Sequence, residues 1–198
     1  MNHAVSVGLR FGERLGRRRA WGWKLPLLAL AIHMGTAAPV AALEVGGTTR
    51  FVRAPWKVEL TSYTTNVGQI PAEYFFTLRL DPDAGAALGT LTIQQIRGAD
   101  WQFPFSVDRT RAFLGVPRRE GTPVRVQASF DAAARRFNLL FPEPVLPGQT
   151  ITVSLRPWAN PSQADTYLFQ VVAFPAGPAP VASPVGVGTL RIYQPTDR

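Results

Sequence analysis

The stretch TITVSLR, Thr150 to Arg156, alternates strictly: Ile151, Val153 and Leu155 are apolar, and Thr150, Thr152, Ser154 and Arg156 are polar. Successive side chains of a β-strand point to opposite faces, so this period of two defines a strand with one buried face. VRVQASF repeats the pattern with Val124, Val126, Ala128 and Phe130 inward, and RFNLLF repeats it with Phe137, Leu139 and Phe141. The intervening DAAARR, Asp131 to Arg136, is short and polar enough to join the two as a hairpin or to form one helical turn.

Further strands are expected over Trp56 to Thr61, Glu73 to Leu80, Thr90 to Ile96, Phe103 to Val107, Tyr167 to Phe174 and Gly188 to Tyr193. YLFQVVAF is apolar at both parities, which predicts a central strand covered on both sides. Turn chemistry separates the runs at Asn66-Val67-Gly68, Asp81-Pro82-Asp83, Arg97-Gly98-Ala99-Asp100 and Pro147-Gly148. Proline cannot donate to a ladder, so GPAPVASPVGVG reads as an edge or loop before a closing strand. Only AGAAL, Ala84 to Leu88, suggests a helical turn. The predicted fold is all-β, an antiparallel two-sheet β-sandwich of immunoglobulin-like type, as one domain over residues 43–198.

Ahead of that domain, a basic segment with Arg17, Arg18, Arg19 and Lys24 runs into the apolar stretch Leu25 to Ile32 and then into small residues. This is the layout of a secretory signal helix over residues 1–42, with cleavage expected near Ala42. Pro26, His33, Gly35 and Pro39 interrupt it too often for a membrane span of about 20 apolar residues. Arg18-Arg19 is compatible with a twin-arginine signal, although Gly22 breaks the bulky apolar pair expected after it. Six of the 21 basic residues and one of the 13 acidic residues lie in this leader, which leaves a charge of +3 beyond it. The high basic total therefore belongs largely to the export signal, and no nucleic-acid partner follows from it.

The leader also holds both histidines, His3 and His33, and both methionines, and the chain has no cysteine. The remaining domain has no residue for a Ser-His-Asp triad, a cysteine nucleophile, a histidine zinc site, a thiolate copper site or a disulfide. No cofactor or metal is expected. Lys57 is the only lysine beyond the leader, and no serine motif accompanies it.

Read together, TSYTTNVGQIPAEYFFTLRL, LTIQQIRGAD, TRAFLG, LPGQTITVSLRPWANP and YLFQVVAFPAG resemble the cyanobacterial family known as domain of unknown function 2808. The resemblance runs from Val52 to Tyr193 and is most specific in the C-terminal third. It implies an exported, extracytoplasmic protein of a photosynthetic bacterium and carries over no catalytic or ligand residue. Gln170 departs from the family pattern, where glycine is expected, which suggests a relaxed backbone approach at that point.

Two segments offer contact chemistry. In LRPWANP, Arg156, Trp158 and Asn160 form either a corner, with Trp158 over the open end of the sandwich and Arg156 over an aromatic face or paired with a carboxylate such as Asp165, or a platform for a sugar or an anionic polymer. In TRAFLGVPRREG, Arg111, Arg118 and Arg119 form either a solvated loop balanced by Asp108 and Glu120, plugged by Phe113, or an anion site. Asp100, Asp108, Glu120 and Glu143 are carboxylates that a glycosidase could use, but no pair has a spacing that places both at a bond. DPDAG lacks the run of oxygen ligands that a calcium loop uses. The expected function is non-catalytic contact with a protein or glycan partner of the cell envelope. The alternative is a carboxylate-dependent polysaccharide hydrolase.

Overall fold

The computed structural model describes residues 43–45 and 47–195, so the expected leader and the cleavage point near Ala42 lie outside the described residues. The strands are β1 (Leu43–Val45), β2 (Thr48–Arg50), β3 (Val58–Thr61), β4 (Tyr74–Arg79), β5 (Leu88–Arg97) and β6 (Arg111–Val116). They continue with β7 (Arg119–Val124), β8 (Gln127–Asp131), β9 (Arg136–Val145), β10 (Thr150–Leu155), β11 (Asp165–Pro175) and β12 (Ser183–Ile192). One five-stranded sheet has the order β3-β4-β10-β6-β7 and the other β12-β11-β5-β9-β8, with every named pair antiparallel. The short pair β1-β2 stands apart.

Taken in chain order, the seven core strands are β3, β4, β5, β6, β10, β11 and β12. The first, second, fifth and fourth make one sheet, and the seventh, sixth and third lie side by side in the other. That is the immunoglobulin order. A second mark of that fold is at the start of β11, where the Tyr167 hydroxyl donates back to the Gln163 carbonyl at 2.8 Å, the geometry of a tyrosine corner. Gly98 makes room for it, because a Cβ at that position would stand 2.1 Å from the Tyr167 ring. The departures from the immunoglobulin plan are β7 and the hairpin β8-β9, which widen the two sheets at their edges.

The core lies between the inner faces. Alternation puts Tyr74, Phe76 and Leu78 of β4 and Ile151, Val153 and Leu155 of β10 against Leu91 and Ile93 of β5, Leu139 and Phe141 of β9, and Phe169 and Val171 of β11. Each such side chain contributes about 1.5–3 kcal/mol by leaving water. One end of the sandwich is closed by Phe103, Phe105 and Phe130, and the Arg135 guanidinium lies 4.6–5.4 Å from their ring centres.

Several sequence expectations change. VRVQASF is not one strand: β7 ends at Val124, and β8 starts at Gln127 in the other sheet. The alternation survives this crossing, so periodicity alone could not reveal the corner. Phe103 to Val107 is irregular, because Pro104 has no N–H and the segment pairs instead with Arg156 to Trp158. There Ser106 N–H donates to the Arg156 carbonyl at 2.8 Å, and Trp158 N–H donates to the Pro104 carbonyl at 3.0 Å. TRAFLGVPRREG is a β-hairpin, and Phe113 is a buried strand residue of β6. In β11 the inner face is buried, whereas Leu168, Val172 and Phe174 on the outer face are half-covered and Gln170 is exposed, so no close backbone approach occurs there. GPAPVASPVGVG keeps its reading as edge or loop: its first half is a loop that pairs with β2, where Thr49 donates from N and Oγ1 to the Pro178 carbonyl, and its second half begins the edge strand β12. AGAAL forms no helix.

Candidate functional site

The hairpin β6-β7 determines the surface of the first sheet. After Gly115, whose φ of 104° admits glycine most easily, the chain folds back over the sheet's outer face. Thr152 Oγ1 of β10 donates to the Gly115 carbonyl at 2.7 Å, and Thr77 Oγ1 of β4 lies 2.8 Å from the same hydroxyl. Both threonines point away from the core yet are buried, which places the hairpin above them. At the tip, Arg118 has a φ of 65°, a conformation that costs a non-glycine residue about 1 kcal/mol. Its guanidinium lies 3.7 Å from the ring centre of Tyr63, which in turn packs on Phe75 of β4.

Beside this clasp lies a groove of about 710 Å³, lined by Tyr63, Ile70, Glu73, Asp108, Arg109, Arg156 and Trp158, among others. Three sets of loops form it: the connections from β3 to β4, from β5 to β6 and from β10 to β11, which immunoglobulin order brings to one end. The rim is apolar and open, with Ile70 71% exposed, Trp158 67% and Tyr63 47%.

The floor is a charge network centred on Glu73. Its Oε1 accepts from Arg156 Nε at 3.1 Å, from Arg111 Nη2 at 3.1 Å and from the Ser154 hydroxyl. Oε2 accepts no hydrogen bond among the described residues. Arg111 also forks to both oxygens of Glu120, at 2.8 and 3.1 Å. Burial pushes the Glu73 carboxyl upward, but the hydrogen bonds from Ser154, Arg156 and Arg111 outweigh it and hold the group below its ordinary value.

The sequence-nominated residues separate into different roles. Arg156 does pair with a carboxylate, but it is Glu73 and not Asp165, and Trp158 stands on the groove rim, 67% exposed, instead of covering the sandwich end. Asn160 is buried: its Oδ1 accepts from the Tyr74 hydroxyl, and its Nδ2 donates to the carbonyls of Thr64 and Asn66, all at 2.9 Å. It fastens two loops to each other and leaves no polar atom for a ligand. Arg111, Arg118 and Arg119 do not converge, since Arg111 is spent on Glu73 and Glu120, Arg118 on Tyr63, and Arg119 is exposed without an ion pair among the described residues. The anion site read from their spacing is therefore not assembled.

Sequence reasoning missed Glu73, Tyr63, Ile70 and Arg109 as members of this groove. Glu73 carried a signal, since it has the outward parity of Phe75 and Thr77. What the sequence lacked was the pairing of Phe75 with Ser154 and of Ser154 with Arg111, which brings the network together. Arg135 was missed too, read only as part of a hairpin connection.

These features define an immunoglobulin-like β-sandwich with an aromatic-rimmed groove at one end. The family profile described as protein of unknown function (DUF2808) matches residues 48–192, and the chain belongs to that family. No curated protein matches it. Among solved structures, the collagen-binding domain of a Staphylococcus aureus adhesin is 8% identical with a TM-score of 0.37, over 72% of this chain and 100% of that one. An uncharacterised immunoglobulin-like protein from Nocardia farcinica is 16% identical with a TM-score of 0.41, over 68% and 96%. A chain from a structure of manganese lipoxygenase of Gaeumannomyces graminis and zonadhesin of Komagataella pastoris is 13% identical with a TM-score of 0.44, over 72% of this chain and 48% of its own length. At these values the likeness says nothing of function.

Proposed function

We propose that this protein is an exported, non-catalytic β-sandwich of the cell envelope that works by contact, meeting a protein or glycan partner in the groove beside Trp158. The observation that carries this reading is the combination of an exposed indole and a carboxylate held ionised in one groove. An exposed aromatic beside a few fixed polar groups is the usual composition of a recognition site. Export rests on the basic, apolar and small-residue layout of residues 1–42.

The hydrolase alternative has one observation in its favour, because Glu73 and Asp108 line the same groove. A glycosidase needs one carboxyl kept protonated near neutrality, which calls for a raised pKa. Glu73 is shifted the other way, and its Oε1 is tied by donors from three residues, Arg111, Ser154 and Arg156. Asp108 alone does not supply the pair.

Photo-crosslinking in intact cells tests the reading. A photoreactive residue in place of Ile70 on the groove rim, which leaves Trp158 intact, should yield adducts with envelope material in the full chain, while the same residue at Leu140, exposed on the other sheet, should not. Equal labelling at the two positions, or none at position 70, would overturn it.

A further inference from the structure

Building on the groove as a contact site, we propose that its ligand is a neutral pyranose chain, read by Trp158 from one side and by the Glu73–Arg156 pair from beneath. Charge is the first argument. Among the described residues, the charged side chains that line the groove are Glu73, Asp108, Arg109 and Arg156, two of each sign, and the adjoining Arg111 is bound to Glu120. One further cation, Arg118, lies against Tyr63 on the rim, so the site offers little net field to gather a polyanion or a polycation.

Hydrogen-bonding capacity is the second argument. Among the described residues Glu73 Oε2 has no partner, and Arg156 spends Nε and Nη2 on Glu73 while Nη1 keeps its donors. A carboxylate and a guanidinium side by side offer an acceptor next to a donor, which two adjacent ring hydroxyls satisfy together. A protein partner fits less well, because the centre of a protein interface is depleted in charge and would bury Glu73 with an oxygen to satisfy.

Shape is the third. The indole of Trp158 is 67% exposed, and Tyr63 and Ile70 extend the apolar rim. A pyranose has an apolar C–H face that packs on such a ring while its hydroxyls point to the polar floor. The volume of about 710 Å³ lies within the range of small-ligand sites and holds a short oligosaccharide.

Calorimetric titration of the full-length chain with maltohexaose, cellohexaose and hexagalacturonate decides the matter. At least one neutral hexamer should bind more tightly than hexagalacturonate. Trp158→Ala should lose about tenfold in affinity. Glu73→Gln should weaken binding by a smaller factor, with thermal melting confirming that both variants fold. Tighter binding of hexagalacturonate, unchanged affinity in Trp158→Ala, or silence from both neutral hexamers would overturn the proposal. Silence here with a protein adduct at position 70 would remove the sugar and leave the contact reading standing; silence in both experiments would remove both.

Discussion

Gly98 and Tyr167 show how far a single residue reaches in this fold. The Tyr167 hydroxyl fixes the turn into β11, and the ring lies where a Cβ on Gly98 would be. Gly98 also has a φ of 141°, which few L-residues adopt. Gly98→Ala should therefore cost about 3 kcal/mol or more through combined strain and displacement of the ring. Tyr167→Phe should cost only about 0.5–1.5 kcal/mol, the net value of one hydrogen bond, because the carbonyl it releases belongs to the exposed Gln163. Urea unfolding of the two variants checks this ranking, and equal losses would mean that the ring is not held by Gly98. Trp158→Ala, by contrast, should change stability by about 0.5 kcal/mol or less, because the indole is mostly exposed.

Among elements, the sequence disclosed neither the short pair β1-β2 nor the hairpin β6-β7, and the hairpin is the one that bears on the groove. Strand identity was legible in β9, with Phe137, Leu139 and Phe141 on one parity, and in β10, with Ile151, Val153 and Leu155, although the same alternation misled at Phe103 to Val107. In REGTPV of β7 neither parity is apolar, and the strand is exposed along nearly its whole length. Its fold-back depends on contacts distant in sequence: the Thr152 hydroxyl on the Gly115 carbonyl and Arg118 on Tyr63. The groove was legible in part for the same reason. Trp158 and Arg156 stood out in their own segment, whereas Glu73 joins them only through pairing across β4, β10 and β6. Arg118→Gly tests the clasp. Relief of the positive φ and loss of the cation–π contact are each worth about 1 kcal/mol and offset one another, so global stability should hardly change. Hydrogen exchange at residues 116–119 should nevertheless accelerate, and unaltered exchange there would show that Arg118 does not hold the tip down.

At the scale of the whole molecule, one end of the sandwich is held by polar ties and the interior by apolar packing. Asn160 joins the loop after β10 to the loop after β3, and Asp100 accepts from Ser162 N and Oγ at 3.0 and 2.8 Å. Asn160→Ala removes three hydrogen bonds and leaves the Tyr74 hydroxyl buried, so a loss of about 2–4 kcal/mol is expected in chemical denaturation. A loss under about 0.5 kcal/mol would mean that the loops are held elsewhere. Acid should act on the same end. Burial opposes ionisation of Asp100, but donors from Ser162, Gln102 and Phe103 outweigh it and lower its pKa, as happens at Glu73. A carboxyl with a depressed folded-state pKa adds stability that is complete above its unfolded value. That stability is lost as the pH falls through the folded one. Stability should therefore be level near neutrality and decline below the ordinary values of 4.5 for Glu73 and 3.8 for Asp100.

Contact without catalysis rests above all on the charge state of Glu73. The most direct measurement is an NMR titration of its side-chain carboxyl carbon in the full-length chain, assigned by comparison with Glu73→Gln. The account predicts a midpoint below 4.5, with the carboxylate ionised throughout the neutral range. A midpoint well above that value would make Glu73 a competent proton donor and would contradict the account.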